Sequence, residues 1–185
     1  LRIALKNNQI CVGLTCMTGK QIYYALEASK IVKENSDAPV VWGGVHASLL
    51  PEQTLVNPYI DIIISGEGDI AFAEVVEAIE RSRPLDNIKG IYYKKDGKET
   101  FTGERELIKD LDSLPELPYG LVDVNKYSSL NINGKSLDFV SSRGCPFRCS
   151  FCYNIAFNKC RWRAMSSEKT IARLKDVVEK YHIKT

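Results

Sequence analysis

The sequence has 185 residues, of which 44% are hydrophobic and 26% are charged, and its formal net charge is +2. This balance is typical of a globular chain of one or two domains, and the charge is too small to indicate nucleic-acid binding. No apolar run reaches the ~20 residues that a membrane-spanning helix needs, and the N-terminus lacks the segment order of a signal peptide.

The first part of the chain alternates short apolar strands with amphipathic helices. Strands are predicted at residues 10–14, 40–42 and 60–64, and helices at residues 21–33, 51–56 and 70–81. The last of these helices has an apolar stripe that we expect to be buried, formed by Phe72, Val75, Val76 and Ile79. Three strand–loop–helix units in a row predict an α/β fold with a Rossmann-like parallel sheet covered by helices.

Three unusual stretches follow the predicted strands, at residues 15–19, 43–46 (GGVH) and 65–68 (SGEG). Ligands of parallel α/β sheets bind outside the carboxyl ends of the strands. Glycines at such positions allow a ligand to approach the backbone closely, or allow a positive φ. His46, beside a glycine pair, is a candidate ligand contact.

The middle of the chain contains turn and linker signals. Asp96-Gly97 between two strand-like runs predicts a β-hairpin over residues 89–101. Residues 110–119 contain two prolines and are predicted to form an extended linker. Residues 123–134 are predicted to be irregular, with a turn at Asn133-Gly134.

The last part of the chain reads as one strand–loop–helix unit of a barrel. The predicted strand at residues 137–141 leads into a cysteine loop, and Ser167 is the predicted cap of a helix at residues 168–181. The apolar stripe of that helix consists of Ile171, Leu174, Val178 and Tyr181. Barrel enzymes carry their chemistry at the carboxyl ends of the strands, where this loop is predicted to lie.

The loop holds Cys145, Cys149 and Cys152, with three residues in the first gap and two in the second. Thiolates this close together in an intracellular chain more often bind metal than form disulfides, and the lack of a secretory signal predicts a cytoplasmic protein. Three thiolates can hold three irons of a cubane cluster and leave the fourth iron open to substrate. Cys160, eight residues further on, leaves a four-thiolate zinc site or a four-cysteine electron-transfer cluster open as alternatives.

The string CPFRCSFCY at residues 145–153 resembles the cluster loop of the radical S-adenosylmethionine (SAM) enzymes. The resemblance implies that Cys145, Cys149 and Cys152 ligate a 4Fe–4S cluster and that Phe151 lies beside the SAM adenine. It also implies reductive cleavage of SAM to a 5′-deoxyadenosyl radical, with a reductase, flavodoxin or ferredoxin as the electron donor.

The GGVH and SGEGD strings resemble the cobalamin-binding domain that precedes the barrel in one branch of this family. The resemblance implies that a group of residues lines the corrinoid, namely Thr15, Gly43, Gly44, His46, Gly66, Glu67 and Gly68. No Asp-x-His-x-x-Gly string is present to supply a lower-ligand histidine. Within this branch, the expected reaction is C-methylation of a small molecule or ring formation on one, with no nucleic-acid partner.

Two other functions remain open from the sequence. A radical SAM methylthiotransferase acting on tRNA would use a basic cluster made up of Arg143, Arg148, Lys159, Arg161 and Arg163. A non-enzymatic metal-binding module would use Cys160 as a fourth ligand.

The predicted division is a partial cobalamin-binding domain at residues 1–88, a hairpin and proline-containing linker at 89–135, and the N-terminal part of a radical SAM (β/α) barrel at 136–185. Because the chain opens on Leu1 rather than methionine, we expect it to be a fragment truncated at both ends.

Overall fold

The structure is a computed structural model that describes residue 5 and residues 8–127, 129–131 and 134–183. The chain divides into two compact units. The first unit joins Leu1–Leu107 to Arg148–Lys159, and the second joins Ile108–Phe147 to Cys160–Thr185. The segment after Arg148 therefore returns to the unit that contains the N-terminal half of the chain.

A five-stranded sheet organises the first unit, in the order β1-β2-β3-β4-β5. Strands β1 (Val12–Thr15), β2 (Val40–Gly43) and β3 (Ile62–Ile64) are parallel. Strands β4 (Ile91–Lys95) and β5 (Lys98–Phe101) add to it in antiparallel fashion, joined by the predicted turn in which Asp96 and Gly97 have φ values of 51° and 75°. The α/β fold class is thus confirmed, and the predicted hairpin is the edge of the same sheet.

Helices cover both faces of this sheet. The first unit contains α1 (Lys20–Asn35), α2 (Val45–Leu49), α3 (Pro51–Leu55) and α4 (Gly68–Glu80). Side chains of a strand alternate between faces, so Trp42 packs in one core with α1, α2 and α3, whereas Val41 packs in the other core with α4.

The buried stripe predicted for α4 is only partly right. Ala71, Val75 and Ala78 are the buried residues of this helix, and Phe72 is 37% exposed. A Cβ on Gly13 would lie 3.0 Å from Cζ of Phe72, so that ring covers the glycine on β1. Two alanines let the helix approach the sheet closely, and the larger phenylalanine is accommodated at its rim.

The core beneath α1 contains a satisfied polar pair. The buried Trp42 donates its Nε1–H to Oγ of Ser29 at 2.8 Å, and that hydroxyl donates to the Ala25 carbonyl at 2.8 Å. Each buried donor has an acceptor, which is what makes a buried indole and hydroxyl tolerable in an apolar core.

The remaining elements are short, apart from the last helix. Two 3₁₀ turns, at Leu111–Ser113 and Tyr119–Leu121, precede α5 (Val124–Tyr127), β6 (Ser129–Asn131), β7 (Gly134–Ser136), β8 (Ser142–Arg143), α6 (Asn154–Phe157), β9 (Arg163–Ala164) and α7 (Ser167–Tyr181). Of these, α6 belongs to the first unit and the others to the second.

Three predictions for the second unit are wrong. Residues 137–141 are not a strand, because the ladder that would define one is limited to the antiparallel pair β8–β9. Residues 110–119 are not simply extended: prolines block an α-helix but leave room for two 3₁₀ turns, and Leu111 is buried. Residues 123–134 include α5, β6 and the start of β7, while Asn133 of the predicted turn lies outside the described residues.

The predicted cap and stripe of α7 also need correction. Ser166, in the β region at ψ 155°, accepts a hydrogen bond from the Lys169 N–H at 3.1 Å, so Ser166 rather than Ser167 is the N-cap. The predicted stripe residues Ile171, Leu174 and Val178 are exposed by 52%, 37% and 45%. The second unit is instead packed through the opposite side of the helix.

Arg173 and Val177 are the buried residues of α7, and Arg173 donates to the Leu114 carbonyl. Tyr181, also predicted in the stripe, packs edge-to-face on Tyr119 with ring centroids 5.7 Å apart. Within the described part of the chain, no helix combines the length and the apolar character needed to cross a membrane.

Candidate functional site

The loops that follow β1, β2 and β3 meet at one edge of the sheet, because the three strands are parallel neighbours. We call residues 15–18, 43–48 and 65–68 the carboxyl edge. The Cys16 N–H donates to the Gly43 carbonyl at 3.2 Å, and the His46 N–H donates to the Cys16 carbonyl at 3.2 Å. The predicted residues Thr15, Gly43 and His46 are therefore brought together by backbone hydrogen bonds.

Gly44 is required by the close packing of two of these loops. Its φ is +88°, and a Cβ at this position would lie 2.5 Å from Oγ1 of Thr15 and 2.9 Å from the Cys16 carbonyl oxygen. A side chain here would be strained in its backbone and would also overlap the β1 loop. Only glycine suits this position.

Gly66 has a similar backbone but a different environment. Its φ is +86°, and no atom lies within 4 Å of the position that a Cβ would occupy. Glu67 then takes the N-cap position of α4, and Gly68 begins that helix. The third loop thus presents an open backbone surface, next to the N-terminal end of a 13-residue helix.

His46 lies in the first turn of α2, partly exposed. Its Nδ1 is 3.2 Å from Oγ1 of Thr18, close enough to share a hydrogen bond. Thr18 lies in the stretch at residues 15–19 that the sequence singled out, but it was not among the predicted corrinoid contacts. Thr18 and His46 are 28 positions apart in the chain, so the local sequence pattern does not predict their contact.

Ser48 was also missed by the sequence predictions. Its hydroxyl donates to the Gly44 carbonyl at 2.7 Å and accepts from the Gly66 N–H at 2.9 Å. The spacing of four residues from Gly44 is a local signal for the first bond, since serine in a helix commonly bonds the carbonyl four residues back. The second bond depends on the fold.

The cysteine loop, residues 145–152, contains the three predicted cluster ligands. Cys149 and Cys152 belong to the first unit and are joined by a turn in which the Cys152 N–H donates to the Cys149 carbonyl at 2.9 Å. Cys149 is exposed, Cys152 is partly exposed, and Phe151 is 91% exposed. Cys145, partly exposed, belongs to the second unit.

Among the described residues, no three His, Cys, Asp or Glu side chains are grouped closely enough to hold one metal ion. None of the three cysteines is in a disulfide and each is at least partly accessible, so the donor set itself suits an iron–sulfur cluster. Ligand geometry commonly forms as the metal binds, because binding and local folding are coupled. The ligand assignment remains a prediction.

The segment after the cysteines is attached to the first unit in two ways. Helix α6 packs on α2, the helix that carries His46 and Ser48. Lys159, seven residues beyond Cys152, forms an ion pair with Glu104, with 2.6 Å between Nζ and Oε2. Residues 149–159 are thereby held against the unit that forms the carboxyl edge.

A cavity of about 260 Å³ lies between these parts of the first unit. Its walls come from the carboxyl edge, from the hairpin with the segment that follows it, and from α6, and include Ser48, Gly66, Tyr92, Phe101, Phe157 and Lys159. The rings of Tyr92 and Phe101 stack with centroids 4.2 Å apart. Burial, followed by the charges of Glu52 and Glu104, raises the pKa of Tyr92, so its phenol is neutral at physiological pH.

The other two cysteines of the first unit differ from those of the loop. Burial raises the pKa of Cys11 and of Cys16, and Cys16 is only 2% exposed. A raised pKa keeps a thiol protonated, which makes it a weaker nucleophile and a weaker metal ligand.

The carboxyl edge suits a large, flat ligand rich in amides, such as a corrinoid. Gly66 leaves its backbone open, Ser48 and Thr18 place hydroxyls along the edge, and His46 adds an imidazole. Glycine backbone and small polar side chains are the groups that allow such a ligand to approach the ends of the strands.

The chain resembles known proteins in sequence. A family model described as the B12 binding domain matches residues 1–76. The chain is 37% identical over 187 residues to the uncharacterized methyltransferase PH0819 of Pyrococcus horikoshii, covering 99% of this chain and 40% of that protein. It is 32% identical over 178 residues to the anaerobic magnesium-protoporphyrin IX monomethyl ester cyclase of Rubrivivax gelatinosus, covering 93% of this chain and 32% of the cyclase.

Solved structures share the fold. The radical SAM methyltransferase TsrM from Kitasatospora setae, with cobalamin and a [4Fe-4S] cluster bound, superposes with a TM-score of 0.73 at 18% identity, over 97% of this chain and 38% of TsrM. The cobalamin-dependent radical enzyme OxsB, with aqua-cobalamin and S-adenosylmethionine bound, gives a TM-score of 0.72 at 24% identity, over 96% of this chain and 24% of OxsB.

The chain spans 40% or less of the length of each of these proteins. The B12-binding match, the relatives and the fold confirm the family that the two sequence resemblances predicted. Residues 1–76 thus match the B12 binding domain, and the chain as a whole is similar to part of the cobalamin-dependent radical SAM enzymes.

Proposed function

We propose that the whole protein is a cobalamin-dependent radical SAM enzyme that methylates a carbon of a small molecule or closes a ring on one. One observation carries the proposal: the segment with Cys149 and Cys152 lies in the same compact unit as the carboxyl edge, and α6 packs on α2. A reaction that uses a cluster and a corrinoid together needs the reacting groups of the two cofactors to be held close together.

The proposed cluster ligands are Cys145, Cys149 and Cys152, and Phe151 is the proposed contact for SAM. The proposed corrinoid contacts are Thr15, Gly43, Gly44, His46, Gly66, Glu67 and Gly68. When bound, the cofactors supply a low-potential electron, a sulfonium that can be cleaved reductively and a carrier for a methyl group.

The residues of the chain orient these groups rather than carry out the chemistry themselves. Gly44 lets the β1 and β2 loops pack together, and Gly66 leaves space above the sheet end. The neutral phenol of Tyr92 can donate a hydrogen bond into the cavity beside α6 without adding charge there. In the proposed enzyme these groups place the ligand and exclude water from the reacting atoms.

The activities for which the relatives are named support a small-molecule substrate. They include a magnesium-protoporphyrin IX monomethyl ester cyclase, a cytidylyl-2-hydroxyethylphosphonate methyltransferase from Streptomyces wedmorensis and a hopanoid C-3 methylase from Methylococcus capsulatus. These names cover both methylation and ring formation, so both reactions belong to the proposal. An electron donor, either a reductase or a flavodoxin or ferredoxin, and a cytoplasmic setting complete it.

Anaerobic reconstitution of the whole protein with iron, sulfide and hydroxocobalamin tests this function. We expect about four irons per chain, since a 4Fe–4S cluster holds that number, a retained corrinoid, and a change in the cluster's electron paramagnetic resonance spectrum when SAM is added. With a reductant, we expect SAM to be cleaved.

Three outcomes would contradict the proposal. A colourless, zinc-containing protein would indicate a structural metal module, and a cluster whose spectrum ignores SAM would indicate a four-cysteine electron-transfer site. Failure to retain the corrinoid, together with SAM cleavage, would favour the tRNA-modifying alternative.

A further inference from the structure

Ser48 occupies a junction between two loops of the carboxyl edge. It lies on α2, four residues after Gly44, and its partly buried hydroxyl contacts the backbone of both Gly44 and Gly66. Gly66 is 18 positions further along the chain, beyond β3. The Ser48 side chain is thus a direct link between the GGVH and SGEG loops.

The hydrogen bond that the Ser48 hydroxyl donates determines the direction of its lone pairs, and so favours the hydrogen bond that it accepts. A serine hydroxyl has one hydrogen to donate and lone pairs to accept with. Since the hydrogen is directed to the Gly44 carbonyl at 2.7 Å, a lone pair faces the Gly66 N–H at 2.9 Å. Alanine would remove both bonds, whereas threonine would keep the hydroxyl.

Packing does little to hold Gly66 in place. Nothing lies within 4 Å of the position of a Cβ, and its φ of +86° belongs to a region that glycine leaves easily. The preceding residue is anchored, because the Ser65 N–H donates to the Gly90 carbonyl at 2.8 Å. The Ser65 hydroxyl also donates to the Ser48 carbonyl at 3.5 Å, so the Ser48 side chain adds the restraint at Gly66 itself, where the backbone of the loop is most open.

We propose that Ser48 is a positioning residue, which locks the Gly44 and Gly66 loops into one preformed cradle for the corrinoid. The proposal rests on the proposed function for the identity of the ligand, but the coupling of the two loops does not. A ligand that binds a preformed surface avoids the entropy cost of ordering it, so uncoupling the loops weakens binding.

Two measurements on the whole protein test this proposal. The first is hydrogen–deuterium exchange of the peptide covering residues 65–68 in the protein without corrinoid, and the second is the dissociation constant for hydroxocobalamin. We expect Ser48→Ala to speed exchange in that peptide and to raise the dissociation constant by about fivefold, the factor that one neutral hydrogen bond represents. Ser48→Thr should restore both values.

The matched control is Ser113→Ala, which removes a local hydrogen bond of 2.7 Å between a serine hydroxyl and the Asp110 carbonyl in the second unit. It should leave both measurements unchanged. If the alanine variant of Ser48 does not fold, Ser48→Cys keeps a similar volume while offering only a weak donor and acceptor, and the same changes are expected.

Exchange of residues 65–68 in Ser48→Ala at the wild-type rate would overturn the coupling. Wild-type affinity for hydroxocobalamin in that variant would overturn the cradle. If Ser48→Ala exchanges faster but the wild-type protein retains no hydroxocobalamin, the coupling of the loops is supported and the proposed function is contradicted. The failure of the inference and the failure of the proposed function are therefore distinguishable.

Discussion

At the carboxyl edge, hydrogen bonds link the loops that follow three strands. Only glycine fits at position 44, because neighbouring atoms lie within 3 Å of the place that a Cβ would occupy. In the first-unit part of the cysteine loop, one turn bond joins Cys149 to Cys152, and Phe151 is 91% exposed. The first region has its shape before any ligand arrives. The second has its proposed ligands at the spacing of the cysteine motif, and we expect their final geometry to form when a metal binds.

The largest expected effect tests the cysteine loop. Cys149→Ala removes one of three proposed ligands from a cluster that has none to spare, so the iron content should fall to near zero. Cys160→Ala is the matched control and should keep the full iron content. The measurements are iron and sulfide analysis after anaerobic reconstitution, and equal losses in the two variants would indicate a four-cysteine site.

The next effect tests the preformed edge. Gly44→Ala introduces a Cβ 2.5 Å from Oγ1 of Thr15 at a positive φ, so we expect a loss of at least about 3 kcal/mol in the free energy of unfolding. Gly66→Ala has the same backbone strain without the overlap and should cost about 1 kcal/mol. Urea denaturation measures both, and equal costs would mean that the edge can relax.

The contrast continues in the helices that follow each region. Val75 on α4 is fully buried, and Val75→Ala should cost about 2 kcal/mol through lost burial and a cavity. Val178 on α7 is 45% exposed, and Val178→Ala should cost under about 0.5 kcal/mol. Denaturant midpoints compare the two, and a large cost at Val178 would show that its stripe is covered in the whole protein.

The smallest effect concerns the attachment of the segment after the cysteines. The hydrogen bond and charge of Lys159 lower the pKa of Glu104 below its ordinary value of 4.5. Because this pKa is depressed in the folded state, the stabilisation is complete above pH 4.5 and is lost as the pH falls through the lowered pKa. Glu104→Gln should slightly speed hydrogen exchange of residues 148–159 near neutral pH.

That difference should vanish in acid, where the wild-type carboxylate is protonated as well. The pair is exposed, so the effect is small and should shrink further in high salt. Glu99→Gln, at an exposed position of β5, is the control and should leave exchange of the segment unchanged. A pH-independent difference would point to packing rather than charge.

The sequence predicted the parts of the first unit that follow from local periodicity. Apolar runs located β1, β2 and β3, and Asp96-Gly97 located the hairpin turn, because these signals act over a few residues. The glycines of the carboxyl edge were found for the same reason. Thr18 and Ser48 were not, since their contacts with His46 and Gly66 arise only when the strands are parallel neighbours.

In the second unit, the predictions failed where a local sequence pattern depends on distant residues for strand pairing or packing. Residues 137–141 are apolar enough for a strand, but none of them takes part in a described strand pair, and the pairing next to them begins at Ser142 in β8. The stripe of α7 has helical spacing, yet the packing uses Arg173 and Val177 instead. Of the two consecutive serines, Ser167 was predicted as the N-cap, whereas the helix begins at Ser167 and Ser166 is its N-cap.

The 185 residues contain two tryptophans, one next to the carboxyl edge in sequence and the other after the cysteine loop. Trp42, one residue before Gly43, is 1% exposed and hydrogen-bonded to Ser29, whereas Trp162, two residues after Cys160, is 59% exposed. Their fluorescence should therefore differ, with blue-shifted emission from the buried indole and red-shifted emission from the solvated one. Replacing either by phenylalanine would give a chain with a single tryptophan. The remaining Trp42 would report on a coloured ligand that binds at the end of the sheet, and the remaining Trp162 would report on the solvent exposure of its own segment in the second unit.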